Sequence, residues 1–161
     1  MDRSIIDLYE GGGAKLRQAI SNLTREDLLC RPEADAKVGK WSIQEVVIHL
    51  ADCEQEFCSR MKRIIAEDNP TLLAFDENKW VEALHYDDTP AEDAVMVVEL
   101  LRKRIANILR KLPESSFARF GTHNKRGKIT LGEYVKSANE HLDHHLKFIH
   151  AKRAKMGKEM W

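Results

Sequence analysis

No apolar run in this chain approaches the roughly 20 residues a helix needs to cross a bilayer, so no membrane partner is expected. A charge excess of either sign is lacking too: 26 Lys and Arg balance 26 Asp and Glu. Without a broad basic field there is little to hold a polyanionic backbone, and nucleic acid drops out as a partner. The late cations Lys152, Arg153, Lys155 and Lys158 suit a helix C-terminus, where positive charge is favoured. Cysteine is sparse and odd in number, with Cys30, Cys53 and Cys58 in no paired framework. Free thiols in a reducing cytoplasm are the simplest reading. Cys53 and Cys58 are five apart on a helix and face different ways, which does not make a metal pair. Asp2, Asp7 and Glu10 interrupt the apolar residues at the N-terminus, so it does not read as a signal peptide. Repeats and low-complexity tracts are absent as well.

What is present is helical periodicity. The 161 residues suit a single domain, 1–161, with one core. A first helix is predicted from about Ser4 to Asn22, with Ile5, Leu8, Leu16, Ala19 and Ile20 on its apolar side. Gly11-Gly12-Gly13 interrupts it and reads as a kink, a frayed turn or a short loop. Close approach of another backbone or a ligand is the competing reading. Thr24 and Asp27 have capping-box spacing ahead of a short turn through Leu29, and Arg31–Lys40 reads as loop. Ser42 and Glu45 form a box that opens a second helix, to about Asp68, with Trp41 stapling its start. Asn69-Pro70 stops it. The crossover from Thr71 to Thr89 is longer than the usual 4–6 residues and holds Phe75, Asp76, Trp80 and Tyr86. One turn of helix is expected there around Glu77–Leu84. A third helix runs from Pro90 to about Lys111, a turn-rich segment spans Phe117–Lys128, and Thr130 with Glu133 caps a fourth. No strand is expected. Four amphipathic helices give an all-α, four-helix bundle. The long crossover lets helices two and three run parallel, up-down-down-up.

The fourth helix carries an anomaly. His141 and His145 are one turn apart on one face, and both sit on or beside the stripe of Leu131, Ala138, Leu142 and Ile149. That spacing lets two imidazoles ligate one ion. His144 points about 120° away, toward water. His49, on the shoulder of the second helix beside Cys53, would add a third nitrogen. Three protein ligands with an open position is the layout of a catalytic metal site, and ordinary helix histidines are the alternative. Asp52, three residues on, could accept a ring N–H or simply be solvated. His123, on the turn before the fourth helix, borders the expected pocket as a supporting or substrate group. Asp76 and Arg60 could line it, though a turn residue and a surface cation are the ordinary readings. His85 and His150 read as surface residues.

Several stretches together resemble the DinB/YfiT-like metalloenzyme superfamily. They are Thr24–Leu28, Trp41-Ser-Ile-Gln-Glu-Val-Val-Ile-His49-Leu-Ala-Asp52, Arg60–Ile64, Phe75-Asp76, His123 with Gly127 and Thr130-Leu131, and His141 to Ile149. The resemblance covers nearly the whole chain. It implies a four-helix bundle, up-down-down-up, with a divalent metal, zinc or nickel, on His49, His141 and His145. The activities it implies are metal-dependent hydrolysis or transfer of a low-molecular-weight thiol cosubstrate to a small electrophilic molecule. A bundle without catalysis, acting as a binding or stress-associated dimer, is the alternative. A homodimer is expected from symmetry alone. The resemblance names no substrate residue and no general base.

Overall fold

A computed structural model describes residues 2–159. Four long helices form its body: α1 (Ser4–Ala19), α3 (Ile43–Ala66), α5 (Ala91–Lys111) and α6 (Leu131–Lys155). Two short ones, α2 (Arg25–Leu29) and α4 (Glu77–Ala83), lie in the connections. The three capping boxes read from sequence are formed. Thr24, Ser42 and Thr130 accept from the backbone N–H groups of Asp27, Glu45 and Glu133, and those carboxylates reach back. Each box satisfies donors that a helix start leaves without partners.

The ring order is α1–α5–α3–α6, since α1 and α3 each pack against both α5 and α6. Direction follows from which residues share a core. One cluster, the upper, holds Leu16, Val46, Val98 and Leu146. The lower holds Ile6, Met61, Ile105 and Tyr134. Numbers therefore climb toward the upper end in α1 and α6 and away from it in α3 and α5. This is the up-down-down-up arrangement, with α3 and α5 parallel. No described helix is long and apolar enough to cross a membrane.

Two expectations need correcting. First, α1 is continuous through Gly11-Gly12-Gly13 and ends at Ala19, before Asn22 turns left-handed (φ 59). The glycines permit close approach instead of a kink. A Cβ on Gly12 would meet the Arg102 guanidinium and lie 2.6 Å from Leu142 Cδ2, and one on Gly13 would lie 2.6 Å from Glu99 Cγ. Side chains there would push α5 away. Second, the chain does contain strands. β1 (Thr71–Leu72) runs parallel to β2 (Phe120–His123), which pairs antiparallel with β3 (Gly127–Thr130). Strands of two and four residues carry no legible alternation. β1 also finds its partner across most of the bundle in sequence, Thr71 opposite Thr122.

The crossover is pinned across the start of α3. The Gln44 amide donates to the carbonyls of Tyr86 (3.0 Å) and Asp87 (2.7 Å), and Arg31 bridges Glu45 and Asp87. Every residue from Ile43 to Ala51 is consequently buried, on all faces of the helix.

Candidate metal centre

Trp41 and the facing α6 decide the position of His49. A helical wheel puts it on the shoulder of α3, yet the residue is 1% exposed. Antiparallel α3 and α6 face each other there, and three imidazoles converge. Ring centroids are 4.7 Å apart for His49 and His145, 4.6 Å for His141 and His145, and 5.3 Å for His49 and His141. Three rings on one tetrahedral ion, each nitrogen about 2.0–2.1 Å from it, put their centroids about 5 Å apart. The spacing fits a shared ion.

Electrostatics favour the ligand form of each ring. Burial pushes His49, His141 and His145 each down to about 3. Neighbouring imidazoles oppose charge further: His145 against His49, His49 against His141, and His141 against His145. A neutral imidazole keeps one lone pair free for a cation. Nδ1 of His145 is buried with no hydrogen-bond partner among the described residues. Buried polar atoms in native folds are nearly always satisfied, so an orphan of this kind asks for a ligand.

Cys53 joins the group from one turn along α3. Its Sγ lies 3.5 Å from His49 Nε2, and donor atoms of His49, Cys53 and His141 all fall within 4.8 Å of one another. That tight set leaves out His145, although its ring is nearer to both other rings than they are to each other. The difference lies in which way the ring nitrogens face. The χ2 torsion of histidine is broad and roughly two-fold, so ring position is the firmer guide. Burial, with Glu77 and Asp52 nearby, pushes the Cys53 thiol up, and it is protonated without a metal. The signal for Cys53 was its spacing from His49, the same four residues that separate His141 from His145.

Two cavities flank the rings. One, of about 200 Å³, opens on His145 and is walled by Trp41, Val46 and Phe148, with Lys152 at its edge. Trp41 staples the start of α3 and also packs at a tilt against His49, centroids 4.9 Å apart. The other cavity, of about 180 Å³, opens on His141 and Cys53 and is bounded by Arg60, Glu77, His123 and Arg126. Crossover and β2–β3 hairpin both contribute to it.

The remaining candidates divide. His123 does border the second cavity, and its Nδ1 accepts from the backbone N–H groups of Lys125 and Arg126. Arg60 lines the same cavity and is buried, not a surface cation. Asp52 accepts from the Tyr86 hydroxyl and from Gln55, not from His49, so it anchors the crossover. Asp76 caps α4 by accepting from Lys79 N–H and lines neither cavity. His144, His85 and His150 are exposed, as expected. Trp41, Phe148 and Lys152 were not singled out for the site. Phe148 and Lys152 fall three and seven residues after His145, on one helix face, which was the available signal.

The sequence pattern of the DinB superfamily matches residues 8–149. A protein of Oceanobacillus iheyensis, provisionally named a metal-dependent hydrolase, is 31% identical over 134 residues, covering 83% of this chain and 75% of the relative. A second from that organism, with the same provisional naming, is 28% identical over 136 residues, covering 84% and 75%. Among solved structures, YfiT from Bacillus subtilis is described as "a probable metal-dependent hydrolase with an unusual four-helix bundle topology". It superposes with a TM-score of 0.87 at 28% identity, over 96% of this chain and 86% of YfiT. A mycothiol-dependent maleylpyruvate isomerase shares the fold at a TM-score of 0.67 and 12% identity, over 89% of this chain and 58% of the isomerase.

Proposed function

Because the chain belongs to the DinB superfamily, we propose that it is a metal-dependent enzyme acting on a small electrophilic substrate, with His49, His141 and His145 holding a divalent ion. The observation that carries this reading is the convergence of three neutral rings, centroids 4.6 to 5.3 Å apart, one of which has a buried Nδ1 with no hydrogen-bond partner among the described residues. Zinc or nickel suits imidazole nitrogens with a sulfur close by. The reaction is hydrolysis, after the naming of the relatives, or transfer of a low-molecular-weight thiol.

A divalent ion bound there supplies Lewis acidity, polarising an oxygen or sulfur donor near neutral pH. The chain's own residues do the rest. Facing α3 and α6 fix the rings on rigid elements. Trp41, Val46 and Phe148 exclude water on the His145 side and offer an apolar wall to the substrate. Lys152 Nζ donates to the Val38 carbonyl, and burial pushes it down to about 8, so it still carries its proton at pH 7. It places a positive charge at the edge of that cavity. Features that could have served a binding-only bundle are engaged internally: Gly12 and Gly13 seat α5, and Phe75 packs on Trp80 with centroids 4.3 Å apart.

The test is metal content by elemental analysis after gentle purification, for wild type and His145→Ala. About one ion per chain in the wild type and little in the variant is expected. Equal, sub-stoichiometric metal in both removes the site assignment. Turnover of electrophile panels, with and without small thiols, that is abolished by His49→Ala would then choose between hydrolysis and transfer.

A further inference from the structure

We propose that the cavity on the His141 side is an oxyanion subsite, taking a carboxylate or phosphate group carried by the substrate or its cosubstrate. Its place beside the reacting centre rests on the metal reading above. Its capacity to bind an anion rests on its own residues.

Those residues come from separate parts of the chain. Arg60 is on α3, Glu77 opens α4, and His123 and Arg126 belong to the β2–β3 hairpin, around about 180 Å³ of space shared with His141 and Cys53. The Arg60 side chain is only 10% exposed. Its Nη2 bonds Glu56 (3.0 Å) and the Leu73 carbonyl (2.6 Å); its Nε is buried and makes no hydrogen bond among the described residues, with the equally unbonded Tyr134 hydroxyl beside the guanidinium. No bond to its Nη1 occurs among the described residues. A guanidinium buried this far normally has its donors satisfied, and unmet ones are costly. Arg126 forms no salt bridge among the described residues; it contacts Ser137 Oγ at 3.4 Å, and the Glu133 carboxylate lies near enough to feel its charge.

His123 supplies a third donor with a fixed direction. Its Nδ1 is already an acceptor, for Lys125 N–H at 3.2 Å and Arg126 N–H at 3.3 Å. The neutral ring therefore carries its proton on Nε2. Burial, with Arg60, Arg126 and Lys125 nearby, pushes this ring down and keeps it neutral at pH 7. Two guanidinium groups and one ring N–H face the cavity; Glu56 takes up part of the Arg60 charge through Nη2, and the single lining carboxylate, Glu77, pairs with neither arginine. A carboxylate or phosphate offers the missing acceptors, two oxygens at the spacing an arginine fork prefers. The opposite flank is walled by Trp41, Val46 and Phe148, and its edge cation, Lys152, is engaged by the Val38 carbonyl. The substrate is thereby oriented, anionic end toward His141 and apolar end toward His145.

Calorimetric titration of the full chain tests this, metal-free and zinc-loaded, with inorganic phosphate and separately with acetate at constant ionic strength. Arg126→Gln is the principal variant, because Arg126 is exposed and folding does not depend on it. Arg60→Gln is the second, and Lys128→Gln is the control. Binding should weaken about fivefold to tenfold in Arg126→Gln, the loss of one charge-assisted bond, and at least as much in Arg60→Gln. Lys128→Gln should bind like wild type, and zinc uptake should be unchanged in Arg126→Gln. Preference for one probe identifies the anion as carboxylate or phosphate. Equal affinity in wild type and Arg126→Gln, in both metal states, overturns the subsite, since the anion is then held by the metal or elsewhere. So does the absence of binding to the wild type. Arginine-dependent anion binding in a chain that takes up no zinc overturns the metal reading and leaves the subsite standing.

Discussion

Two buried polar clusters lie in the same bundle, barely more than a helical turn apart along α3, and they are built on opposite principles. In the lower one Arg102 donates from Nε to Glu54 (2.8 Å), from Nη1 to the Tyr9 carbonyl (3.1 Å) and from Nη2 to the Ala138 carbonyl (2.9 Å). Tyr9 hydroxyl donates to Glu54, and the Arg102 guanidinium also lies over the Tyr9 ring. Burial pushes the Tyr9 hydroxyl well up, so it remains a donor. Arg102 and Glu54 are 2% and 3% exposed, and the group ties α1, α3, α5 and α6 together. It is charged, paired and closed. The upper cluster is neutral and open: three imidazoles with lone pairs to give, and one buried nitrogen that bonds to nothing among the described residues. A polar group that has used all its bonds holds a fold together, while one with bonds to spare is available to a ligand.

The contrast can be broken most forcefully from the closed side. Arg102→Met leaves Glu54 buried and unpaired and should cost about 3–5 kcal/mol in urea unfolding. Adding Glu54→Leu should restore much of it. A small loss in the single variant would mean that the cluster is not closed as described. The open side should behave conversely, with His141→Ala changing the metal-free stability far less. Instead it should abolish stabilisation by zinc, which in the wild type reaches about 2.7 kcal/mol at a hundredfold excess over the dissociation constant. Zinc-independent melting of the wild type would erase the distinction between the clusters.

Smaller effects sharpen it. Gly12→Ala forces a methyl group against Arg102 and Leu142 and should cost about 1–3 kcal/mol, as overpacking does. Gly11→Ala, one residue earlier with nothing within 4 Å, should stabilise by about 0.4–1 kcal/mol. Thermal melts of the pair check both signs. Lys152 tests whether the upper half resists charge. Its folded pKa of about 8 lies below its ordinary 10.5. The unfolded chain thus holds more protons between those values, so stability relative to Lys152→Met should rise with pH across that window. The gain should be on the order of 1 kcal/mol per pH unit at its steepest, and should vanish below about pH 8. A flat difference from about pH 7 to pH 10 would mean that the ammonium is better solvated than its burial implies.

The sequence made the fold legible where local chemistry is decisive. Capping boxes at Thr24, Ser42 and Thr130 marked helix starts, because an uncapped start leaves donors unmet whatever surrounds it. His141 and His145 were placed on one face by periodicity alone. Other features were written less plainly. Glu54 and Arg102 sit among apolar neighbours on their helices, Ala51, Phe57 and Cys58 for one and Val98, Ile105 and Leu109 for the other. Two misplaced charges of opposite sign were a readable hint of a buried pair. The glycines Gly12 and Gly13 announced an exception without saying whether it was a bend or a close approach.

By itself, then, the sequence determined four amphipathic helices, their order and starts, and one histidine pair, since each depends on neighbours three or four residues away. The tertiary structure alone decided that His49 faces inward, that Cys53 and Arg60 reach the site, and that β1 finds β2. Those outcomes depend on segments far apart in the chain, above all α6 facing His49 and the crossover carrying Tyr86 and Asp87 over α3. Helical phase fixes an angle around one axis. Whether that angle meets water or another ring depends on what is packed across from it.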